Sequence, residues 1–99
     1  MTEGAYVYIL ECCDGSFYVG STRRETVEER LSEHQQGRIA GYTSARLPVR
    51  LVWAEHFPRI VDAIAFEQQV KRWSRAKKIA LIRGEWDRLR ELARRRSGR

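Results

Sequence analysis

Five side chains in this sequence are of types that can do chemistry and fall where their surroundings make them worth weighing: Tyr8, Tyr18, Arg30, His34 and Glu67. Arg30 and His34 stand one helical turn apart, so both project from one side of a helix and flank Val27 and Leu31. A guanidinium that grips a phosphate and an imidazole within proton-transfer reach suit phosphodiester cleavage. The plainer reading is a solvated helix flank with a partly buried histidine. Glu67 lies midway between Ile64 and Val70, inside an apolar stripe. A carboxylate facing a core needs an ion pair, hydrogen bonds or a metal ion. Position alone leaves open a divalent cation, an ion pair to a core-facing cation such as Arg30, or a place at the edge of the stripe. Tyr8 and Tyr18 fall in strand-like segments, where tyrosines ordinarily pack with the hydroxyl in water.

The elements that would hold these groups can be read from local pattern. Tyr6–Glu11 and Ser16–Gly20 are β-branched and aromatic with Asp14-Gly15 between them, a β-hairpin signal. Thr26 and Glu29 have the spacing of a capping box, Val27, Leu31 and His34 share the face of the helix that follows, and Gly37 suits a left-handed stop. Residues 38–48 read as a loop, and Val49–His56 as a third strand closed by Pro58. A second helix is predicted from Ile60 to Trp73, with Ile60, Ala63, Ile64, Val70 and Trp73 at three- and four-residue steps. Further helical stretches cover Ala76–Ile82 and Glu85–Ala93, separated at Gly84. Trp73 is expected in the core, with Trp53 and Trp86 as packing residues. The order reads ββαβαα, an α+β fold with a small three-stranded antiparallel sheet flanked by helices. Residues 1–93 form the single domain, and the basic tail Arg94–Arg99 is expected to be frayed.

A length of 99 residues leaves room for one domain. The apolar runs Ala5–Leu10 and Leu51–Ala54 fall far short of the ~20 residues a membrane helix needs, so no membrane partner is expected. The N-terminus has no basic start followed by an apolar stretch, which makes the cytoplasm the expected compartment. Cys12 and Cys13 are adjacent, unsuited to a structural disulfide or a zinc site, and fit a reducing compartment. Charge is unevenly spread: residues 1–50 carry −1 and residues 51–99 carry +7. Such asymmetry is the footprint of a polyanionic partner, and Arg supplies 16 of the 19 cations, which favours bidentate phosphate contacts.

Taken in order, these residues resemble the GIY-YIG nuclease family over roughly Tyr6 to Ile82. Tyr6-Val7-Tyr8 is similar to the family's first element and Tyr18-Val19-Gly20 to its second. Arg30 and His34 match the helix positions that follow, and Glu67 matches the metal-binding glutamate on the helix after the third strand. Gly41-Tyr42-Thr43, the segment Pro48 to Trp53 and the segment Lys71 to Lys78 further resemble a small stand-alone bacterial subgroup. Tyr6 replaces the glycine that opens the first element. The family's later asparagine has no counterpart, since the chain contains no asparagine. Lys71, Arg75 or Lys77 is the candidate replacement for its phosphate contact.

The resemblance implies a divalent-metal-dependent endonuclease that hydrolyses DNA phosphodiesters, in a family with roles in repair, restriction, homing and branched-structure resolution. Glu67 would hold one Mg²⁺ or Mn²⁺, weakly in the absence of DNA. Tyr8 or Tyr18 would take the proton of the attacking water, with Arg30 supplying the cationic field that a tyrosine of pKa near ~10 needs, and His34 relaying the proton. Arg46, Arg50, Lys71, Arg72, Arg75, Lys77 and Lys78 would contact DNA phosphates, which positions DNA without reading it. The chain is expected to act as a monomer, with an unidentified protein partner for targeting. The alternative is a non-catalytic nucleic-acid-binding module of the same fold; a scaffold using the basic helix face ranks below both. A shared active site also sets a register. A two-residue Asp14-Gly15 turn would place Tyr8 and Tyr18 on opposite faces, so Tyr8 must pair with Gly20. That requires a bulge or odd-length loop near Cys13–Ser16, with Gly15 left-handed.

Overall fold

The most apolar segment of the chain becomes the middle of its sheet. In a computed structural model, which describes residues 4–39 and 41–97, β1 (Ala5–Glu11) lies between β2 (Phe17–Thr22) and β3 (Arg50–Phe57). Both pairings are antiparallel. A central strand covered on both faces buries consecutive residues, and Val7, Tyr8, Ile9 and Leu10 are all essentially inaccessible. Full burial of such side chains contributes about 1.5–3 kcal/mol each.

The two faces have separate cores. Val7, Ile9 and Val19 pack with Ala63 and Val70 of α2 (Ile60–Lys71) and Leu81 of α3 (Arg75–Arg83). Tyr8, Leu10 and Cys12 pack with Val27 of α1 (Val27–Gln35) and with Val49. The remaining helix, α4 (Trp86–Ser97), brings Leu89 against the first core. The fold is therefore α+β with the expected three-stranded sheet, and the described residues form four helices in the order ββαβααα. None of them is long and apolar enough to cross a membrane.

The hairpin adopts the register that a shared face requires. Tyr8 pairs with Gly20 and Leu10 with Tyr18, so both tyrosines lie on the α1 side of the sheet. The connecting loop, residues 12–16, has odd length, and Gly15 has φ +85°. A second irregularity lies on the other side of β1, where the pairing with β3 shifts between Ile9 and Leu10. The start of α1 also follows local chemistry. Thr26 accepts from the Glu29 backbone while Glu29 reaches back to Thr26, and the chain leaves the helix through Gly37 at φ +71°.

Four expectations need correction. Ile64 does not belong to the buried stripe of α2: it is 48% exposed, and the inward residues are Ala63, Glu67 and Val70. The buried face of α2 is narrower than the apolar stripe, and Ile64 falls outside it. The helix ends at Lys71 rather than Trp73, because Ser74 caps the next helix by accepting from Lys77 N at 3.2 Å. Trp86 is 53% exposed, since it opens α4 where that helix has not yet reached the core. Trp53 and Trp73 do pack, each against Phe66. The tail expected to fray from Arg94 is helical through Ser97, with no helix breaker before Gly98. Gly98 and Arg99 lie outside the described residues.

Candidate active site

On the α1 side of the sheet, Tyr8 from the central strand meets His34 from the last turn of α1. The Tyr8 hydroxyl is 2.8 Å from His34 Nε2, and His34 Nδ1 is 2.7 Å from Thr43 Oγ1. All three residues are buried, His34 completely, so each polar atom depends on its neighbour. Arg30 Nε donates to the same tyrosine hydroxyl at 3.4 Å. Arg30 can only donate, so it takes one lone pair of the Tyr8 oxygen; the phenolic hydrogen can then point at His34 Nε2, an arrangement in which His34 is the Nδ1–H tautomer and donates to Thr43 Oγ1.

Electrostatics reinforce that proton arrangement. Burial pushes the Tyr8 pKa up to about 12, against the hydrogen bond from Arg30, which lowers it; the charges of Tyr18 and Glu67 raise it further. Arg30 thus acts in the expected direction, but desolvation outweighs it, and Tyr8 stays a phenol. Burial, then the Arg30 charge, lowers the His34 pKa, so the imidazole is neutral and able to accept a proton. Arg30 is itself steadied by Glu33 one turn on, at 3.1 Å, and Glu33 also pairs with Arg24. Burial works against the charge on Arg30, yet its bonds to Tyr8 and Glu33 prevail and its pKa rises.

Tyr18 stands beside this chain of bonds. Its ring lies 5.2 Å from that of His34, edge to face, and 6.4 Å from Tyr42 in a stacked arrangement. Arg46 covers Tyr42, with Cζ 3.8 Å from the ring centre, while its Nε pairs with Asp14 at 3.2 Å. The loop residues Tyr42, Thr43 and Arg46 thus wall in the rings of Tyr18 and His34.

Glu67 approaches from the opposite side of the sheet. Ser21, which pairs with Val7 and so faces α2, donates to Glu67 Oε1 at 3.0 Å, and Lys71 Nζ lies 3.0 Å from Oε2. Arg30 is not the partner of this carboxylate; its bonds run to Tyr8 and Glu33. The two half-sites meet across the outer strand β2 at Gly20-Ser21. A side chain at position 20 would prevent this, because its Cβ would lie 2.6 Å from the Tyr8 hydroxyl and 3.0 Å from Tyr18 Cε2. Glycine lets the tyrosine lean over β2 towards the sheet edge. There a cavity of about 300 Å³ opens between the two helices, bounded by Ser21, Thr22 and Arg30 on one side and Ile60 and Ile64 on the other.

The donor set fits a hard divalent ion held lightly. Among the described residues no group of three or more His, Cys, Asp or Glu side chains converges. A lone carboxylate with a hydroxyl beside it suits Mg²⁺ or Mn²⁺ that retains most of its water, and does not suit Zn²⁺.

The sequence-predicted cations divide. Lys71 is at the site. Arg46 and Arg75 brace the hairpin loop, the latter by donating to Gly15 O at 2.8 Å. Arg50 pairs with Glu11 at the sheet's surface. Arg72 and Lys77 line a separate cavity with Trp73, on the side of α2 away from Glu67, and Lys77 is only 8% exposed. Lys78 is half-buried, and burial followed by the Arg75 charge lowers its pKa. Sequence reasoning missed the supporting roles of Ser21, Glu33 and Thr43. Glu33 carried a local signal, its three-residue spacing from Arg30, and Thr43 stood in the Gly41-Tyr42-Thr43 segment without a role; Ser21 carried none.

Comparison with known proteins adds the following. The family described as "GIY-YIG catalytic domain" matches residues 4–80. A UPF0213 protein of Streptococcus sanguinis is 45% identical over 83 residues, covering 84% of this chain and 93% of that protein. The solution NMR structure of the UPF0213 protein BH0048 from Bacillus halodurans has a TM-score of 0.52 at 46% identity, over 80% of this chain and 82% of that one. The solution NMR structure of the protein EF2693 from E. faecalis has a TM-score of 0.56 at 37% identity, over 85% and 90%.

Proposed function

Because this chain belongs to the GIY-YIG catalytic domain family, we propose that it is a divalent-metal-dependent endonuclease that hydrolyses DNA phosphodiester bonds. The observation that carries the reading is the Tyr8 hydroxyl held between Arg30 Nε and His34 Nε2, at 3.4 and 2.8 Å. A buried phenol with a pKa of about 12 is not a preformed phenolate at neutral pH. It serves instead as one link of a relay. As water attacks phosphorus, its proton passes to the Tyr8 oxygen while the phenolic proton passes to His34 Nε2. The resulting imidazolium keeps its Nδ1–H bond to Thr43, and Arg30 offsets negative charge on the phenol and the phosphate. Tyr18 and Tyr42 form the wall that keeps His34 in place and out of water.

Glu67 would hold one Mg²⁺ or Mn²⁺, and that ion when bound would supply charge stabilisation at the departing oxygen. Ser21 fixes the carboxylate rotamer from below. Exposed cations, Lys71 beside Glu67 and Arg50 at the opposite end of the sheet, would contact phosphates, so sequence preference is weak. The test is cleavage of labelled duplex, single-stranded, flapped and four-way DNAs with Mg²⁺, Mn²⁺ or chelator. Cutting that requires the ion supports the enzyme. Uncut substrates that are nonetheless bound in a salt-sensitive way would instead support the binding module.

A further inference from the structure

Both oxygens of the Glu67 carboxylate are taken by protein donors, Oε1 by Ser21 and Oε2 by Lys71. Each oxygen keeps a second lone pair, so the obstacle to a divalent ion here is the positive charge already seated on the carboxylate rather than a lack of acceptor sites. Ser21 is anchored in β2 next to Gly20 and has little freedom to leave. Lys71 is different: its side chain is 45% exposed against 11% for Glu67, at the end of a flexible stem on the last residue of α2. We propose that Lys71 occupies the metal position on Glu67 in the free protein and gives it up to the ion when a nucleic-acid phosphate takes the ammonium group instead. The inference rests on the metal-dependent reading above and names the residue that makes ion binding depend on nucleic acid.

Charge explains why such a placeholder is needed. A carboxylate this buried is stabilised by a neighbouring cation, and Arg30 is committed to Tyr8 and Glu33. Lys71, one turn along the same helix, is the group that reaches. A divalent ion and an ammonium group repel each other at one carboxylate, so entry of the ion expels the lysine. In the free protein the expelled group finds only water. Beside a DNA backbone it finds a phosphate, which makes ion and DNA binding mutually reinforcing.

The experiment is a Mn²⁺ titration of the full chain, followed by the paramagnetic signal of free Mn²⁺, without DNA. Lys71→Met is expected to bind Mn²⁺ about fivefold more tightly than wild type, or ~1 kcal/mol. Lys71→Arg, which keeps the charge, should stay near wild type. In a second arm, Tyr8→Phe is added to every protein to suppress hydrolysis and a mixed-sequence duplex is included. DNA should then raise Mn²⁺ affinity more with Lys71 present than with Met in its place. Loss of Mn²⁺ binding in Glu67→Gln with no gain in Lys71→Met overturns the role of Lys71 alone, as does an equal DNA effect in both backgrounds. Unchanged Mn²⁺ binding in Glu67→Gln overturns the metal assignment to Glu67, and this proposal with it.

Discussion

Replacing Thr43 with valine tests whether the buried chain of bonds is real and what it is worth. Valine keeps the branched shape of threonine and removes only the oxygen. His34 is completely buried and its Nδ1 has Thr43 Oγ1 at 2.7 Å, so the substitution orphans a ring nitrogen where water does not reach. Leaving such a group unpaired costs ~1–3 kcal/mol. In a chain of this size a ~2 kcal/mol loss lowers Tm by roughly 8–16 °C. Thr43→Ser keeps the hydroxyl and should lose under ~1 kcal/mol for one methyl group. Urea unfolding is the assay: the midpoint should fall in Thr43→Val with an unchanged slope, and Thr43→Ser should stay near wild type. Loss of the Nδ1 acceptor also favours the Nε2–H tautomer, which cannot take a proton from Tyr8, so cleavage should fall with stability restored by lower temperature. A Thr43→Val protein as stable as wild type, or a Thr43→Ser protein as unstable as Thr43→Val, would refute the argument.

Other outcomes follow from the same geometry. Gly20→Ala places a methyl 2.6 Å from the Tyr8 hydroxyl, which must then shift against its bonds to His34 and Arg30, and should cost ~1–3 kcal/mol in thermal melts while abolishing cleavage. The His34 pKa is lowered on folding, so its contribution to stability is complete above its unfolded pKa of ~6.5 and is lost as pH falls through the folded value. Melting temperature and cleavage rate should both decline on the acid side, and His34→Gln should flatten the melting profile in that window. Tyr8 is shifted the other way, so its contribution is complete below pH 10 and is lost as pH rises towards about 12. Ultraviolet titration should show one tyrosine ionising last, and Tyr8→Phe should remove that step.

Where a feature depends on near neighbours along the chain, the sequence was enough to find it. Thr26 and Glu29 carry the start of α1 and Gly37 its end, because capping is settled within a few residues. The pairing of Tyr8 with Gly20 was recoverable because a tight Asp14-Gly15 turn leaves few registers, and a shift by one from the two-residue turn puts both tyrosines on one face. Features that depend on what lies above an element were not. The stripe of α2 reads equally well with Ile64 inside or outside, because three- and four-residue steps do not say how wide a face its neighbours cover. Thr43 and Ser21 are ordinary polar residues in the sequence and gain their roles only when α1 and α2 bring His34 and Glu67 to them. The Arg30 effect on Tyr8 was read with the correct sign, but burial, a tertiary quantity, exceeded it.

The most direct test of the account is single-turnover DNA cleavage in Mn²⁺ by wild type, Tyr8→Phe and Glu67→Gln, each first shown to be folded by thermal melting. The account predicts that wild type cuts and that each variant is slowed by at least ~100-fold, the usual scale for losing a proton-transfer group or a charge-stabilising one. A folded Tyr8→Phe or Glu67→Gln protein that cuts within a few-fold of wild type would contradict it.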